Sequence, residues 1–449
     1  MSNSLNSLLF STPEMTHVFS SEEQLRAMMR FEYALTVALE KEGLAEAGSS
    51  AVLDQLLDGR FLDAKLIAHE ARDAGNIAIP FVRQLTEAVK ARSEAAARAV
   101  HLGATSQDVL DSAVILQIRD ALKLLQAGID RLDAAIERLV RAHRRTILTG
   151  RTWLQPGPPT TVGLKLATTL AALRRDRDRI CAAAARTLVL QFGGAVGTLA
   201  ALGSAGGAVS AELARVLELR EAELPWHTQR DSLAEIVQVL AILTGTLAKF
   251  ARDIALLMQS EVGEASEGAR PGRGGSSTMP HKHNPVACAA VIAAYTRMPG
   301  LAATMLQAMA QEHERGLGTW QAEWETVPEA FRLAAAALAS SIEVAEELEI
   351  DAERMQSNFD ALHGLTLSEA VSAALAPKIG RSAAHDLMRA ATARALKEKR
   401  SLVEVLKQSS EVTTQLSELE IDQLLDPLGY LGSAERFIAR VLREADAEV

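Results

Sequence analysis

Cysteine is nearly absent: Cys181 and Cys288 are the only two in 449 residues. Two lone thiols in so long a chain exclude a disulfide framework and fit a reducing compartment. Aromatic residues are scarce as well, at 4%, although 48% of the chain is hydrophobic. An apolar fraction carried by Ala and Leu favours long packed helices over sheets. Positive charge has no surplus either: 47 Lys and Arg face 57 Asp and Glu, for a formal net charge of -10. No basic run is long enough to follow a phosphate backbone, which argues against nucleic acid and anionic membranes as partners. An anionic ligand must therefore be held by local cations against the overall field. The N-terminal MSNSLNSLLFSTPEM has no basic region leading into a sustained apolar run, unlike a signal peptide. Ala-rich stretches such as 286–294 read as too short or too interrupted to span a bilayer. The expectation is a cytoplasmic protein.

Nucleotide signatures are missing too. There is no GxxxxGK[ST] loop, no GxGxxG after a strand pattern, and the glycine-rich run 192–207 contains no lysine. His281 and His283 flank Lys282 with no acid beside them, a poor zinc site, so no metal is expected.

What is present is helical periodicity. Ile115, Ile118, Leu122, Leu125, Ile129, Leu132, Ile136 and Leu139 recur at spacings of three and four, a heptad seam between Asp111 and Arg145. Further apolar stretches at 160–188, 231–262, 286–312 and 324–348 are separated by Gly or Pro. The pattern predicts an all-α chain: a central bundle of long helices over 111–350, flanked by smaller helical domains at 1–110 and 351–449. So many apolar positions predict that some seams face other subunits.

Two segments carry chemistry. In HLGATSQD (101–108), Thr105, Ser106 and Asp108 suit either a helix cap or a carboxylate site at a helix N-terminus. In GRGGSSTMPHKHNP (272–285), glycines allow movement while Met279–Pro280 and Asn284–Pro285 fix corners. A serine six residues before a lysine loses its proton more easily if that positive charge is held nearby. A mobile loop bearing such a serine suits an active-site lid.

The string GSSTMPHKHNP resembles the GSSxMPxKxNP signature of the fumarase/aspartase superfamily. HLGATSQD and RTWLQP (151–156) fall in order where that superfamily has its other two active-site segments, so the resemblance spans essentially the whole chain. It implies a homotetramer whose active sites each draw on three subunits, no cofactor, and removal of a proton α to a carboxylate as a group leaves the β carbon. By the same resemblance Ser276 is the catalytic serine. Lys282 and Asn284 hold substrate carboxylate, Thr105 and Ser106 are the hydroxyl pair that contacts it, and His101 is the histidine of that segment.

The chain departs from fumarase and adenylosuccinate lyase at two linked points. Trp153 stands where they have a histidine, and Ala289, seven residues after Lys282, stands where they have its partner glutamate. Water and amines are poor leaving groups that need a general acid. A carboxylate, with a pKa near 4, leaves unprotonated and attacks already ionised. The missing pair therefore points to a migrating carboxylate, with Trp153 as an apolar wall that keeps water out. VHLGATSQD, GRTWLQ, LVLQFGGA, LPWHTQRD and QEHER…EWET resemble the lactonizing branch of the superfamily, which closes 3-carboxy-cis,cis-muconate to 4-carboxymuconolactone. Gln155 is assigned to the substrate alongside Trp153. Arg315 is the best second cation for a polycarboxylate, although a surface ion pair with Glu312 or Glu314 would also account for it. His227 suits a place near the site or in the core, and Trp226, Trp320 and Trp324 suit packing. After WLQ the chain reads PGPP, from Pro156 to Pro159, a departure from the branch. A differently substituted muconate, or an amine lyase of the adenylosuccinate or argininosuccinate type, is the alternative.

Overall fold

The computed structural model describes residues 6, 9–268, 274–275, 279 and 282–443. Among the described residues the chain is all-α apart from two small two-stranded sheets. Five helices exceed twenty residues after the first hundred positions: Ser106–Ala142, Val162–Thr187, Asp231–Leu257, Val286–Ala308 and Thr319–Glu347. At 1.5 Å per residue the first runs about 55 Å. All eight residues of its predicted seam are buried.

Two compact units result. One comprises Met1–Ile129, Arg175–Ala248 and Ala290–Ser340; the other comprises Asp130–Arg174, Lys249–Ala289 and Ser341–Val449. In the first, the Ser21–Lys41 helix packs on the Gly206–Leu217 helix, and Phe31 meets Phe192 edge-on with ring centroids 6.3 Å apart. In the second, Val371, Leu375, Met388, Leu402, Leu406 and Ile421 form the core of the C-terminal helices. Each such fully buried side chain contributes roughly 1.5–3 kcal/mol.

Two details differ from the sequence reading. The second long helix starts at Val162 rather than at 160, because Gln155–Thr161 is a strand (β2) paired antiparallel with Ile147–Thr152 (β1). And the stretch 286–294, read as too short or too interrupted to span a bilayer, does not end there. It continues through Pro299 to Ala308, so Val286–Ala308, like Asp231–Leu257, is long and apolar enough to cross a membrane by length and composition. Of the most apolar window of each helix, 61% is buried in Asp231–Leu257, as in a core helix, but only 33% in Val286–Ala308. The latter leaves much apolar surface uncovered in a single chain.

Candidate active site

In the first unit the HLGATSQD segment leads into the Ser106–Ala142 helix. His101 takes a left-handed backbone (φ 58), and Glu32 engages it twice. The His101 N–H donates to Glu32 Oε2 at 2.9 Å, and the ring Nδ1 lies 2.6 Å from Oε1. Glu32 is fully buried in the middle of the Ser21–Lys41 helix. Burial pulls the His101 pKa down, but the charge and hydrogen bond of Glu32, helped by the charge of Asp108, more than offset this and leave it above the usual histidine value. The pairing favours an imidazolium with Nδ1 already engaged, so Nε2 is the nitrogen left for a ligand.

Asp108, also fully buried, organises the turn before the helix. Its Oδ2 accepts from the Thr105 N–H at 3.0 Å, the reciprocal half of a capping box, and from the Gly194 N–H at 2.8 Å. Its Oδ1 accepts from the Gly193 N–H and from Gln191 Nε2, both at 3.1 Å, and lies 2.8 Å from His227 Nε2. The glycine run thus folds onto a carboxylate. A Cβ at Gly193 would meet Pro225 at 2.6 Å, so only glycine fits there. His227 is 5% exposed, buried beside the segment through its contacts with Asp108 and Gln107. The Trp226 indole N–H donates to the Leu190 carbonyl and that of Trp320 to Asp111 Oδ1, as packing residues with satisfied polar ends do.

With Asp108 capping the helix, the Thr105 hydroxyl turns to Arg315. It accepts from Arg315 Nη2 at 3.4 Å, while the same guanidinium donates to the Ala195 carbonyl at 2.9 Å and, through Nη1, to Gln107 Oε1 at 3.0 Å. The alternative ion pairs are not formed: Glu312 Oε2 accepts the Leu317 N–H instead, and among the described residues no carboxylate lies within ion-pair distance of Arg315. Ser106 opens the helix, half-buried.

Behind them lies a buried ionic cluster that sequence reading missed. Arg230, 1% exposed at its side chain, donates to Asp111 at 2.7 and 3.1 Å and to Glu323 at 2.5–3.1 Å. Burial raises the Glu323 pKa above the usual carboxylate range; Arg230 opposes the shift and the Asp111 charge adds to it.

In the second unit RTWLQP forms the tip of the β1–β2 hairpin. Trp153 (φ 54) and Leu154 (φ 63) are its two turn residues. Positive φ at both positions is type I′ geometry, usually given to Asn-Gly, and costs about 1–2 kcal/mol for each side chain with a Cβ. Trp153 is 97% and Leu154 74% exposed. Gln155, also exposed, starts β2 opposite Thr152. The hairpin is clamped at Arg151, whose guanidinium is held bidentately by buried Glu264 at 2.7 and 2.9 Å; Asn358 donates to the same carboxylate at 2.8 Å.

Ser276 lies outside the described residues, as do Ser277 and His281. The neck of their loop is described. Gly274 (φ 63) accepts on its carbonyl both the backbone N–H and the side-chain Nδ2 of Asn284, at 2.9 and 3.0 Å, and Gly275 bridges His283. A Cβ at Gly274 would meet the Asn284 carbonyl at 2.5 Å. The Asn284 amide N is thus engaged within the loop itself, and Lys282 is exposed. Buried Glu267 accepts the Ala287 and Cys288 N–H groups at 3.1 and 2.7 Å, fixing the start of the helix after the loop. Among the described residues no group of three or more His, Cys, Asp or Glu is placed to hold a metal ion.

Residues 10–300 match the family described as lyase, and residues 364–441 match the adenylosuccinate lyase C-terminus. A 3-carboxy-cis,cis-muconate cycloisomerase of Pseudomonas aeruginosa is 48% identical over 445 residues, covering 99% of this chain and 97% of that protein. One of Bradyrhizobium diazoefficiens is 45% identical, covering 98% and 99%. The crystal structure of 3-carboxy-cis,cis-muconate lactonizing enzyme from Pseudomonas putida superposes with a TM-score of 0.93 at 45% identity, covering 98% of each chain.

Proposed function

The chain belongs to this lyase family, within the fumarase/aspartase superfamily, and on that footing we propose that it closes 3-carboxy-cis,cis-muconate to 4-carboxymuconolactone. One observation carries the reading: Trp153 and Ala289 replace both halves of a proton-transfer pair in a chain that matches lactonizing relatives from end to end. A terminal carboxylate oxygen of the substrate adds to the nearer carbon of the far double bond of the diene, closing a five-membered ring. The electron pair of that bond passes to the neighbouring carbon and is delocalised into the carboxylate there. A proton then arrives on that carbon, and Ser276 is its donor. The nucleophile is ionised at neutral pH, so no base is required at position 153.

A tricarboxylate in a chain of net charge -10 needs cations. Lys282 and the Arg315 guanidinium are the cations assigned to it, and His101, its charge balanced by Glu32, is assigned as a contact through Nε2. Thr105, Ser106, Gln155 and Asn284 supply polar contacts, and Trp153 supplies an apolar wall. The neutral partners of Arg315 support this assignment, since they orient its charge without cancelling it.

The exposed Trp153 and Leu154 and the thinly covered Val286–Ala308 helix support assembly of several copies. A homotetramer with sites shared among three subunits is the arrangement proposed, in the cytoplasm, for the protocatechuate branch of the β-ketoadipate pathway. Purified protein should abolish the ultraviolet absorbance of the conjugated diene of 3-carboxy-cis,cis-muconate and leave succinylated purines intact. Unchanged absorbance with cleavage of a succinylated amine would replace this reading by the amine-lyase one.

A further inference from the structure

We propose that Gln107 is a positioning residue that aims the Arg315 guanidinium at a substrate carboxylate, and that the buried Asp111–Arg230–Glu323 cluster in turn fixes Gln107. The inference rests on the reading of Arg315 as a carboxylate-binding group.

Arg315 needs outside support. It lies in the irregular segment between the Val286–Ala308 and Thr319–Glu347 helices, two residues after His313, which is itself left-handed (φ 49). A long flexible side chain on such a segment has no helix or strand to orient it, and holding it in one geometry costs rotamer entropy. Gln107, by contrast, is fully buried in the first turn of the Ser106–Ala142 helix. Its Nε2 donates to Asp111 Oδ2 at 3.1 Å and to the His227 carbonyl at 2.7 Å, and its Oε1 accepts from Arg315 Nη1 at 3.0 Å. This amide has one workable orientation. Flipped, it would set oxygen against a carboxylate and a carbonyl, and N–H against a guanidinium.

Asp111 is fixed from the other side by Arg230 and by the Trp320 indole N–H. Glu323, the second partner of Arg230, also accepts from Gln311 Nε2 at 3.2 Å. Gln311 sits against Gly316, next to Arg315, where a Cβ would meet Gln311 Oε1 at 2.7 Å. One rigid cluster therefore steadies both the backbone beside Arg315, through Gln311, and its guanidinium, through Gln107.

The charge arrangement separates the two arginines. Arg230 is neutralised by two carboxylates and is buried. Arg315 is held by an amide oxygen, a hydroxyl and a backbone carbonyl, all neutral. Neutral acceptors direct a guanidinium and leave its charge for an anion, whereas a carboxylate in the place of Gln107 would cancel that charge.

The test is steady-state kinetics on 3-carboxy-cis,cis-muconate with Gln107→Met, Arg315→Ala and the double variant, in the assembled full-length enzyme. Gln107→Met removes the acceptor at similar volume and should raise KM about tenfold while kcat changes little, as expected for one lost hydrogen bond to a charged group. In the Arg315→Ala background the same substitution should change KM no further. Gln107→Glu, of the same shape, is measured alongside in case the Met variant does not fold; it should also raise KM, because its charge competes with the substrate for Arg315. A folded Gln107 variant with unchanged KM overturns the proposal, and so does a Gln107→Met effect that persists in full without Arg315. If Arg315→Ala alone leaves KM unchanged, the carboxylate-binding reading of Arg315 fails and takes the proposal with it. That result is distinct from a raised KM for Arg315→Ala beside an additive Gln107 effect, which sinks the proposal alone.

Discussion

Ser276 and His101 can be probed independently, because one moves a proton and the other carries a charge. Ser276→Ala should lower kcat by about 10²–10⁴-fold, the usual reach of one proton-transfer group, with the assembly state unchanged by light scattering; near-normal turnover would remove Ser276 from the mechanism. His101 titrates above its ordinary value in the folded protein because Glu32 outweighs its burial. Its contribution to stability is therefore complete below the unfolded histidine pKa of about 6.5 and is lost as pH rises through the raised folded value. The thermal midpoint should fall across that interval, and Glu32→Gln should flatten the slope; an unaltered slope would mean that another group sets it. At this scale the sequence showed the residues of the three motifs and none of their supports. Glu32 lies 69 positions before His101, and Arg230 lies 119 after Asp111. An acid on an amphipathic helix reads as a solvated one until tertiary packing buries it.

Among elements, periodicity made the long helices readable, since a 3.6-residue repeat of apolar side chains has few other solutions. The β1–β2 hairpin was not readable. Its turn is Trp153–Leu154 rather than Asn-Gly, and its second strand holds three prolines, a composition that speaks against strands. Such a turn persists where the surrounding structure enforces it, and the Arg151–Glu264–Asn358 clamp is that enforcement. The loop neck at 274–284 is a second local device. Gly274→Ala would place a methyl group 2.5 Å from the Asn284 carbonyl at a φ of 63. It should reduce kcat/KM by at least about tenfold while the thermal midpoint changes little, because the strain falls on a surface loop rather than the core. A fully active Gly274→Ala enzyme would show that the neck does not set the geometry of the Ser276 loop.

At the scale of the whole molecule, composition spoke for helices and against polyanionic partners, and the uneven cover of Val286–Ala308 speaks for assembly. Shared sites make a further prediction. At substrate well below KM, where Ser276→Ala and Arg315→Ala enzymes are each impaired, subunits exchanged at equal ratio should reach about a quarter of wild-type activity, because a site built from two different chains is intact with that frequency. No recovery after verified exchange would place both residues in one chain's site. The central claim is that a carboxylate of the substrate itself is the migrating group and that the enzyme supplies only the final proton. Proton NMR of the product formed from 3-carboxy-cis,cis-muconate in D2O tests it most directly. The account predicts a lactone with one deuterium on the carbon next to the new C–O bond and no second product. An open-chain product with a released fragment, or a lactone without deuterium, would contradict it.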